Sequence, residues 1–159
     1  MTVELRDVTE DDLPILFEQQ WDPVANEMAA FPARDRDAFI DHWLKHVIGD
    51  ETVVRKVILF DGVVAGNVIS FERDGVREVG YWIARAHWGK GIATAALGQF
   101  LSFISERPLY AYVAKHNVGS LRVLQKCGFE ISGERRGLPY EGREIDDIIL
   151  ILGQPEGEA

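Results

Sequence analysis

Residues 81–94 of this chain run Tyr81-Trp82-Ile83-Ala84-Arg85-Ala86-His87-Trp88-Gly89-Lys90-Gly91-Ile92-Ala93-Thr94. This run lies between a predicted strand and a predicted helix. Gly89 and Gly91 lack a Cβ atom, so the backbone between the two elements can approach a ligand closely. The first turn of the helix adds unpaired NH groups and the positive end of its dipole, and Lys90 adds a cation. The pattern predicts a pyrophosphate cradle over residues 89–94.

Two common phosphate-binding motifs do not fit this run. A dinucleotide-binding fingerprint needs a third glycine where the chain has Thr94. A nucleoside-triphosphate loop needs two glycines five apart, the second followed by Lys and then Ser or Thr, and the sequence has no such run.

A second motif follows downstream, where Asn117-Val118-Gly119-Ser120 precedes Leu124-Gln125-Lys126-Cys127-Gly128-Phe129. Together with residues 80–83 and 86–91, it resembles the GNAT N-acetyltransferase superfamily, and most of all the branch of ribosomal-protein N-terminal acetyltransferases. The resemblance extends from about Val3 to Leu152. Ala86 stands where the family's signature begins with Gln or Arg.

The resemblance implies an α/β (α+β) fold, with a mixed, largely antiparallel central sheet and helices on both faces. Residues 1–152 are expected to form a single acyl-CoA N-acyltransferase domain, and residues 153–159 a disordered tail. Acetyl-CoA is the implied co-substrate. The residues implied to bind it are Tyr81, Trp82 and Ile83 through their backbone, the loop residues Gly89, Lys90, Gly91, Ile92, Ala93 and Thr94, and Asn117.

The implied catalytic residues are Glu78 and Ser120. Many family members place a tyrosine seven residues after the asparagine to protonate the leaving thiolate, but that position here is Leu124. Ser120 is the available hydroxyl and is expected to hydrogen-bond the thioester sulfur, while Glu78 would take the proton of the amine. Plainer interpretations stay open: a first-turn serine, a solvated carboxylate at a strand edge and, for Asn117, a helix cap alone.

The formal net charge of −9 is unevenly distributed. Residues 1–50 hold 12 acidic residues against 4 Lys and Arg, whereas residues 51–159 hold 14 against 13. An acidic surface repels phosphate backbones and attracts cations, so nucleic acid is not expected as a partner and an amine is. A solvated helical face explains the same charges without any binding role.

The chain of 159 residues with 47% hydrophobic content has the size of one domain. Its single cysteine, Cys127, cannot form an internal disulfide, and no leader or membrane-spanning run is evident, so the expected location is the cytoplasm. No cluster of residues suggests a metal site. A homodimer is left open.

Hydrophobic patterning predicts the remaining elements. The predicted strands are 3–7, 52–60, 63–71, 77–83, 109–113, 129–133 and 145–152, with a hairpin turn at Asp61-Gly62. The predicted helices are one capped near Asp11, one over 36–47, one over 89–105 and one from Asn117 to about Cys127.

The sequence therefore predicts an N-acetyltransferase that moves an acetyl group directly from acetyl-CoA to a primary amine, either a peptide N-terminal α-amine or a small amine. One alternative is an antibiotic or polyamine acetyltransferase. The other is a non-catalytic acyl-CoA-binding module, which the missing tyrosine makes credible.

Overall fold

The structure, a computed structural model, describes residues 2–153. In this part of the chain, one seven-stranded sheet has the strand order β1-β2-β3-β4-β5-β7-β6. The strands are β1 (Val3–Asp7), β2 (Val54–Phe60), β3 (Val63–Arg73), β4 (Val76–Ile83), β5 (Leu109–Ala114), β6 (Glu130–Arg136) and β7 (Asp146–Leu152). Neighbouring strands are antiparallel except β4 and β5, which are parallel.

Within residues 2–153, five α-helices cover the sheet: α1 (Leu13–Gln20), α2 (Pro23–Ala29), α3 (Arg36–His42), α4 (Ile92–Phe100) and α5 (Val118–Lys126). Short 3-10 turns precede α1, join β4 to α4 and follow α4, at Glu10–Asp12, Arg85–His87 and Leu101–Phe103. A π-helical segment, Trp43–Ile48, continues α3. No helix in the described range is both long and apolar enough to cross a membrane. The predicted fold class is confirmed.

The sheet separates two clusters of buried side chains. One face packs against α4 and α5 through residues such as Val68, Phe100 and Leu150, and is called the α4–α5 face below. The other packs against α1 and α3 through residues such as Leu16 and Trp43, and is called the α1–α3 face.

Strands β4 and β5 pair only at Arg77–Leu109 and Glu78–Tyr110. Beyond Glu78 the two strands part, while β4 continues to pair with β3 as far as Ile83 and β5 pairs with β7. The sheet therefore contains a gap in its middle, bordered on one side by the edge of residues 79–83 that faces away from β3.

Most predicted elements lie within a few residues of the observed ones, and the Asp61-Gly62 turn has the positive φ values, 49° and 82°, of a type I′ hairpin. The helix predicted to be capped near Asp11 begins at Leu13, and its N-cap residue is Asp12, although the Asp12 side chain makes no capping hydrogen bond. A 3-10 turn precedes this helix, and there the Asp12 carboxylate accepts a hydrogen bond from the Thr9 NH group. Helix α2 was not predicted. The tail predicted over residues 153–159 falls, beyond Gly153, outside the described residues.

Candidate active site

The glycine loop joins the open edge of β4 to helix α4. Gly89 and Gly91 have φ values of 77° and 74°, in the left-handed region that favours glycine. A Cβ atom at either position would meet no protein atom within 4 Å, so the space above the loop is open. The first helical hydrogen bond of α4 runs from the Ala95 NH group to the Gly91 carbonyl, at 3.2 Å. The preceding NH groups of Ile92, Ala93 and Thr94 form the N-terminal turn, a geometry suited to an anion.

Side chains around the loop fix its shape. The indole NH of Trp88 donates to the Ile83 carbonyl at 2.9 Å and so ties the loop back to the end of β4. The Arg85 guanidinium pairs with Asp22 at 2.9 Å, which ties the same loop to the start of α2. Lys90 lies with its ammonium group 5.5 Å from the centre of the Phe60 ring, exposed beside the loop.

The backbone of β4 alternates between its neighbour and the gap. Ala84 donates its NH group to the Ala65 carbonyl of the chain just before Gly66. In an antiparallel ladder this alternation turns the backbone of Trp82 toward β3 and that of Tyr81 and Ile83 toward the gap. The backbone groups of Tyr81 and Ile83 therefore border the gap. Trp82 was predicted to bind the cofactor through its backbone as well, but its backbone groups are turned toward β3. Its side chain lies on the α1–α3 face, where the indole NH donates to the Gln19 carbonyl at 3.0 Å.

On the α4–α5 face, a hydrogen bond links the two sides of the gap. The hydroxyl groups of Tyr81 and Ser120 are 2.7 Å apart. Ser120 lies in the first turn of α5, whose N-cap Asn117 accepts a hydrogen bond from the Ser120 NH group at 3.3 Å. Burial raises the pKa of Tyr81 to about 12, and the hydrogen bond with Ser120 opposes this in part. Leu124, one turn further along α5, is buried in the core.

Cys127 also lies near this site, at the end of α5. Its thiol is 3.5 Å from the Thr94 carbonyl, and burial raises the pKa of the thiol. A thiol with a raised pKa is a weak nucleophile at neutral pH, so this cysteine is not suited to carry an acyl group.

Glu78 stands on the α1–α3 face, where the gap begins. The residue is 8% exposed, and its nearest charged partner is Arg73 at 3.9 Å. Burial raises the pKa of the Glu78 carboxyl, and the positive charges of Arg73 and Arg135 lower it in part. Such a carboxylate binds a proton more readily than an exposed one and is suited to accept a proton near neutral pH.

The neighbouring strands add polar groups to the same face. Tyr110 is the register partner of Glu78, and Tyr112 follows on the same side of β5. Asp147 shares this face, since Ile148 beside it points into the opposite core. The Arg135 guanidinium lies 3.4 Å from the centre of the Tyr112 ring, and its Nε is 3.4 Å from the Asp147 carboxylate.

Two cavities open beside α1 and α2. A cavity of about 740 Å³ lies between α1 and residues 84–86. A second, of about 380 Å³, lies between the α1–α2 corner, the loop after α2 and the loop between β6 and β7. Its lining is Trp21, Pro23, Asn26, Pro32, Ala33, Pro139, Tyr140 and Glu141.

An ion pair links helix α2 to the loop between β6 and β7. The Glu27 carboxylate accepts hydrogen bonds from Arg143 Nη2 at 2.7 and 2.8 Å. The His116 ring lies 3.0 Å from the Glu27 carbonyl, which ties α2 to the loop before α5 as well. These contacts hold the C-terminal part of α2 beside the loops that follow β5 and β6.

The structure thus brings the predicted site residues to one region, with Glu78 on one face of the sheet and Ser120 on the other. Their roles stay predictions. Sequence reasoning missed the hydroxyl of Tyr81 and the Glu27–Arg143 pair, whose partners are 39 and 116 residues away along the chain. Side chains alternate between the two faces along β4, and this pattern could have predicted that Tyr81 points toward α5. Within residues 2–153, no group of three His, Cys, Asp or Glu side chains could hold a metal ion.

Comparison with known proteins agrees with this geometry. The spermidine N-acetyltransferase of Vibrio cholerae, solved with CoA and spermine, superposes with a TM-score of 0.81 at 21% identity and covers 94% of each chain. The "Putative ribosomal N-acetyltransferase YdaF" of Bacillus subtilis (strain 168) is 30% identical over 131 residues, which cover 77% of this chain and 71% of YdaF. The "Probable N-acetyltransferase YjcK" of the same strain is 33% identical over 85 residues, 50% of this chain but only 47% of YjcK. The family model described as "Acetyltransferase (GNAT) domain" matches residues 2–130. The chain therefore belongs to the GNAT acetyltransferase family.

Proposed function

We propose that this protein transfers the acetyl group of acetyl-CoA directly to a primary amine, a peptide N-terminal α-amine or a small amine, within one domain over residues 1–152. The observation that carries the proposal is the gap between β4 and β5, which ends at the open glycine loop before α4. A gap bordered by a strand edge that faces away from β3 suits an extended amide-containing chain, and the helix N-terminus beyond it suits a diphosphate. Pantetheine and pyrophosphate occur in this order in CoA.

The loop and the strand would share the binding of the cofactor. Backbone NH groups over residues 89–94 would hold the pyrophosphate, with Lys90 as a nearby cation. The gap-facing backbone of Tyr81 and the NH group of Ile83 would hold the pantetheine arm and the thioester, while the Ile83 carbonyl keeps its bond from Trp88. Asn117 orders the first turn of α5 beside them.

The acceptor would approach from the α1–α3 face, where Glu78 lies. The amine nitrogen attacks the acetyl carbonyl, its proton passes to Glu78 directly or through water, and the C–S bond breaks as the thiolate leaves. The raised pKa of Glu78 keeps its carboxylate basic enough for this step. Cys127 takes no part, because its buried thiol has a raised pKa.

The sparse set of catalytic groups favours an α-amine. At pH 7 about a tenth of an α-amine with pKa near 8 is unprotonated, against less than about a thousandth of a lysine amine. A general base contributes about 10²- to 10⁴-fold, so a site with Glu78 as its one proposed base and leucine at position 124 is better matched to the more acidic amine. The name of YdaF points in the same direction.

Two other functions have an observation in their favour. A polyamine acceptor fits the acidic first fifty residues, and one structural neighbour is a spermidine N-acetyltransferase. A non-catalytic acyl-CoA-binding module fits the buried leucine at position 124, where a tyrosine would otherwise act as the acid.

Calorimetry of acetyl-CoA binding tests the proposal first. Gly91→Trp should abolish binding, because a side chain there would fill the open space over the loop. Gly75→Trp is the matched control: Gly75 has a φ of 82°, a Cβ there would also meet no atom within 4 Å, and it lies in the β3–β4 hairpin away from the loop. Both variants place a tryptophan at a positive φ and so introduce the same kind of backbone strain. A loss of acetyl-CoA binding in Gly91→Trp alone would therefore support binding of the cofactor over the glycine loop.

Release of free thiol from acetyl-CoA then identifies the acceptor. The panel contains peptides with free α-amines, peptides with a blocked N-terminus and one lysine, polyamines and aminoglycosides. Turnover with the first group supports the proposal, and turnover with polyamines or aminoglycosides alone replaces it with those substrates. Tight binding without turnover on any amine favours the binding module, and no binding at all would refute the assignment.

A further inference from the structure

The hydroxyl groups of Tyr81 and Ser120 share one hydrogen bond but carry two protons. Within residues 2–153, neither hydroxyl has another hydrogen-bonding partner. One proton fills the 2.7 Å bond between the two oxygens, and the other has no acceptor in this part of the protein. Ser102, in contrast, donates its hydroxyl to the Gln99 carbonyl at 2.8 Å, the usual arrangement for a helical serine.

The direction of the shared bond follows from the acidity of the two groups. A phenol is a stronger acid than an aliphatic alcohol, so it is the better donor, and the alcohol oxygen is the better acceptor. The geometry allows either oxygen to donate, and the difference in acidity favours donation from the Tyr81 hydroxyl to Ser120 Oγ. The proton left without an acceptor is the hydroxyl proton of Ser120.

The position of the pair relates this proton to the gap. Tyr81 belongs to the part of β4 that has separated from β5, and Ser120 belongs to the helix that follows β5. The hydrogen bond thus connects the two elements that border the gap on the α4–α5 face. Leu124, on the same side of α5, is buried and has no polar group to offer.

We propose that Tyr81 is a positioning residue, whose hydroxyl fixes the rotamer of Ser120 so that the serine proton points to the sulfur of the bound thioester. This inference rests on the proposed function and adds a residue that acts through Ser120. Ser120 touches the sulfur, and Tyr81 touches Ser120. The leaving thiolate receives one oriented hydrogen bond where a tyrosine at position 124 is missing.

The pair stabilises the thiolate without giving up a proton. A thiol has a pKa of about 8.5, whereas the pKa of Tyr81 is raised to about 12. Transfer of a proton from the tyrosine to the thiolate would therefore be energetically unfavourable. When the N–C bond forms and the C–S bond breaks, the electron pair goes to sulfur, the amine proton goes to Glu78 and on to water, and the thiolate takes its proton from water.

The first test uses the product CoA and needs no acceptor amine. The thiol of CoA bound to the wild-type protein is titrated by the ultraviolet absorbance of its thiolate, as a difference spectrum against the protein alone so that Cys127 cancels. We expect the bound thiol to have a lower pKa in the wild type than in Tyr81→Phe or Ser120→Ala, because both variants remove the oriented donor. Ser102→Ala is the matched serine control and should leave the pKa of the bound thiol unchanged.

The second test is a double-mutant cycle on turnover. Ser120→Ala should lower kcat about 100-fold and Tyr81→Phe about tenfold, with the affinity for CoA unchanged by calorimetry. In the Ser120→Ala background, Tyr81→Phe should cause no further loss, since its only effect passes through the serine. A tyrosine that merely supports the fold would lower kcat by the same factor in both backgrounds.

The outcomes separate the two proposals. If wild-type protein does not bind CoA, the proposed function fails and the positioning of Ser120 fails with it. If CoA binds but Tyr81→Phe leaves the thiol pKa at the wild-type value, or the two losses in kcat multiply, the positioning inference alone is refuted. Thermal unfolding of each variant shows whether a loss reflects misfolding, and Ser120→Thr, which keeps the hydroxyl, should retain more activity than Ser120→Ala.

Discussion

Glu78 is a carboxyl group that the fold holds in an unfavourable place. It is 8% exposed, and within the described residues its carboxylate accepts no hydrogen bond. Burial raises its pKa, so the ionised form is less stable in the folded protein than in the unfolded chain. A carboxylate that accepts the proton of the amine must be able to ionise even though its burial destabilises the fold. A residue at this position that only packed in the fold would not need a charge.

Replacing Glu78 by Gln should therefore have opposite effects on activity and stability. We expect kcat/KM to fall about 10²- to 10⁴-fold through the loss of a general base. A group whose pKa is raised in the folded state stabilises the fold at low pH, and this stabilisation is lost as the pH rises through the folded-state pKa. Gln has no such loss, so the stability of the variant relative to wild type should increase between pH 4 and pH 8.

Denaturant unfolding across this pH range and initial-rate kinetics check both effects. Glu72→Gln on the exposed side of β3 is the control and should change neither quantity. A Glu78→Gln variant that stays fully active would remove Glu78 from the mechanism.

Gly66 allows β3 and β4 to lie close together beside the site, because it has no side chain. A Cβ atom there would stand 2.0 Å from the Trp82 carbonyl oxygen, a backbone atom that cannot move aside without shifting β4. Gly66→Ala should lower the free energy of unfolding by at least about 1–3 kcal/mol, the usual cost of overpacking. Gly80→Ala, where a Cβ would meet no atom within 4 Å, should cost much less in the same denaturant titration. Equal stability of the two variants would contradict this account.

At the scale of elements, one buried carboxylate joins β1 to α1. Asp12 accepts hydrogen bonds from Arg6 Nη1 and Nη2, each at 2.8 Å, and from the Thr9 NH group at 2.8 Å. The hydrogen bond from Arg6 is the main reason why the pKa of Asp12 lies below its ordinary value. The strand, the turn and the helix therefore depend on one ionised side chain.

Asp12→Asn should destabilise the protein by about 1.5–3 kcal/mol at pH 7, the range for hydrogen bonds to charged groups. A carboxyl group with a lowered folded-state pKa stabilises the fold above its ordinary pKa, and this stabilisation is lost as the pH falls through the folded-state pKa. The difference in the free energy of unfolding between wild type and variant should become smaller below about pH 4. Chemical denaturation at several pH values measures this difference, and the exposed neighbour variant Asp11→Asn should show none. A difference that stays constant with pH would exclude the ionised pair as its cause.

The elements differ in how far the sequence alone could predict them. The Asp61-Gly62 hairpin and the strand Val3–Asp7 follow from local patterns, and the structure confirms both. Helix α2 has only seven residues, and its hold on the fold comes from distant contacts such as Glu27–Arg143. Its cap, Asp22 followed by a proline, was a cue in the sequence. Short helices that depend on tertiary contacts leave little periodic signal.

The candidate site divides in the same way. The glycine loop and the Asn117 cap are contiguous runs, so their residue types and spacing indicated their geometry before any contact was known. The environment of Glu78 depends on Arg73 and Arg135, which come from two different strands, and its burial could not be inferred from its neighbours in sequence. Tyr81 and Ser120 meet because β4 and α5 border the same gap.

At the scale of the whole molecule, nearly all the excess negative charge lies in the first fifty residues. Residues 1–50, with 12 acidic residues against 4 Lys and Arg, supply α1, α2 and α3 on the side where the acceptor would approach. The glycine loop with Lys90 opens onto the other side, toward α4. An excess of negative charge raises the local concentration of cations, so a cationic amine would be attracted to this side.

This excess of negative charge predicts how salt should change the KM of cationic acceptor amines. Raising the ionic strength shortens the screening length to below about 10 Å, so the KM of a cationic amine should rise. A polyamine should be affected more than a peptide with one α-amine, because it carries more positive charge toward the acidic helices. Steady-state kinetics with each amine at fixed acetyl-CoA, repeated across salt concentrations, measures the slope of KM against salt for both amines.

Glu18 is an exposed residue of α1 that lines the larger cavity. Glu18→Gln should flatten the slope for the polyamine, whereas Glu130→Gln on the exposed edge strand β6 should leave it unchanged. Identical slopes for both amines in all three proteins would mean that the acidic helices are only a solvated surface, and that acceptor choice depends on contacts inside the gap.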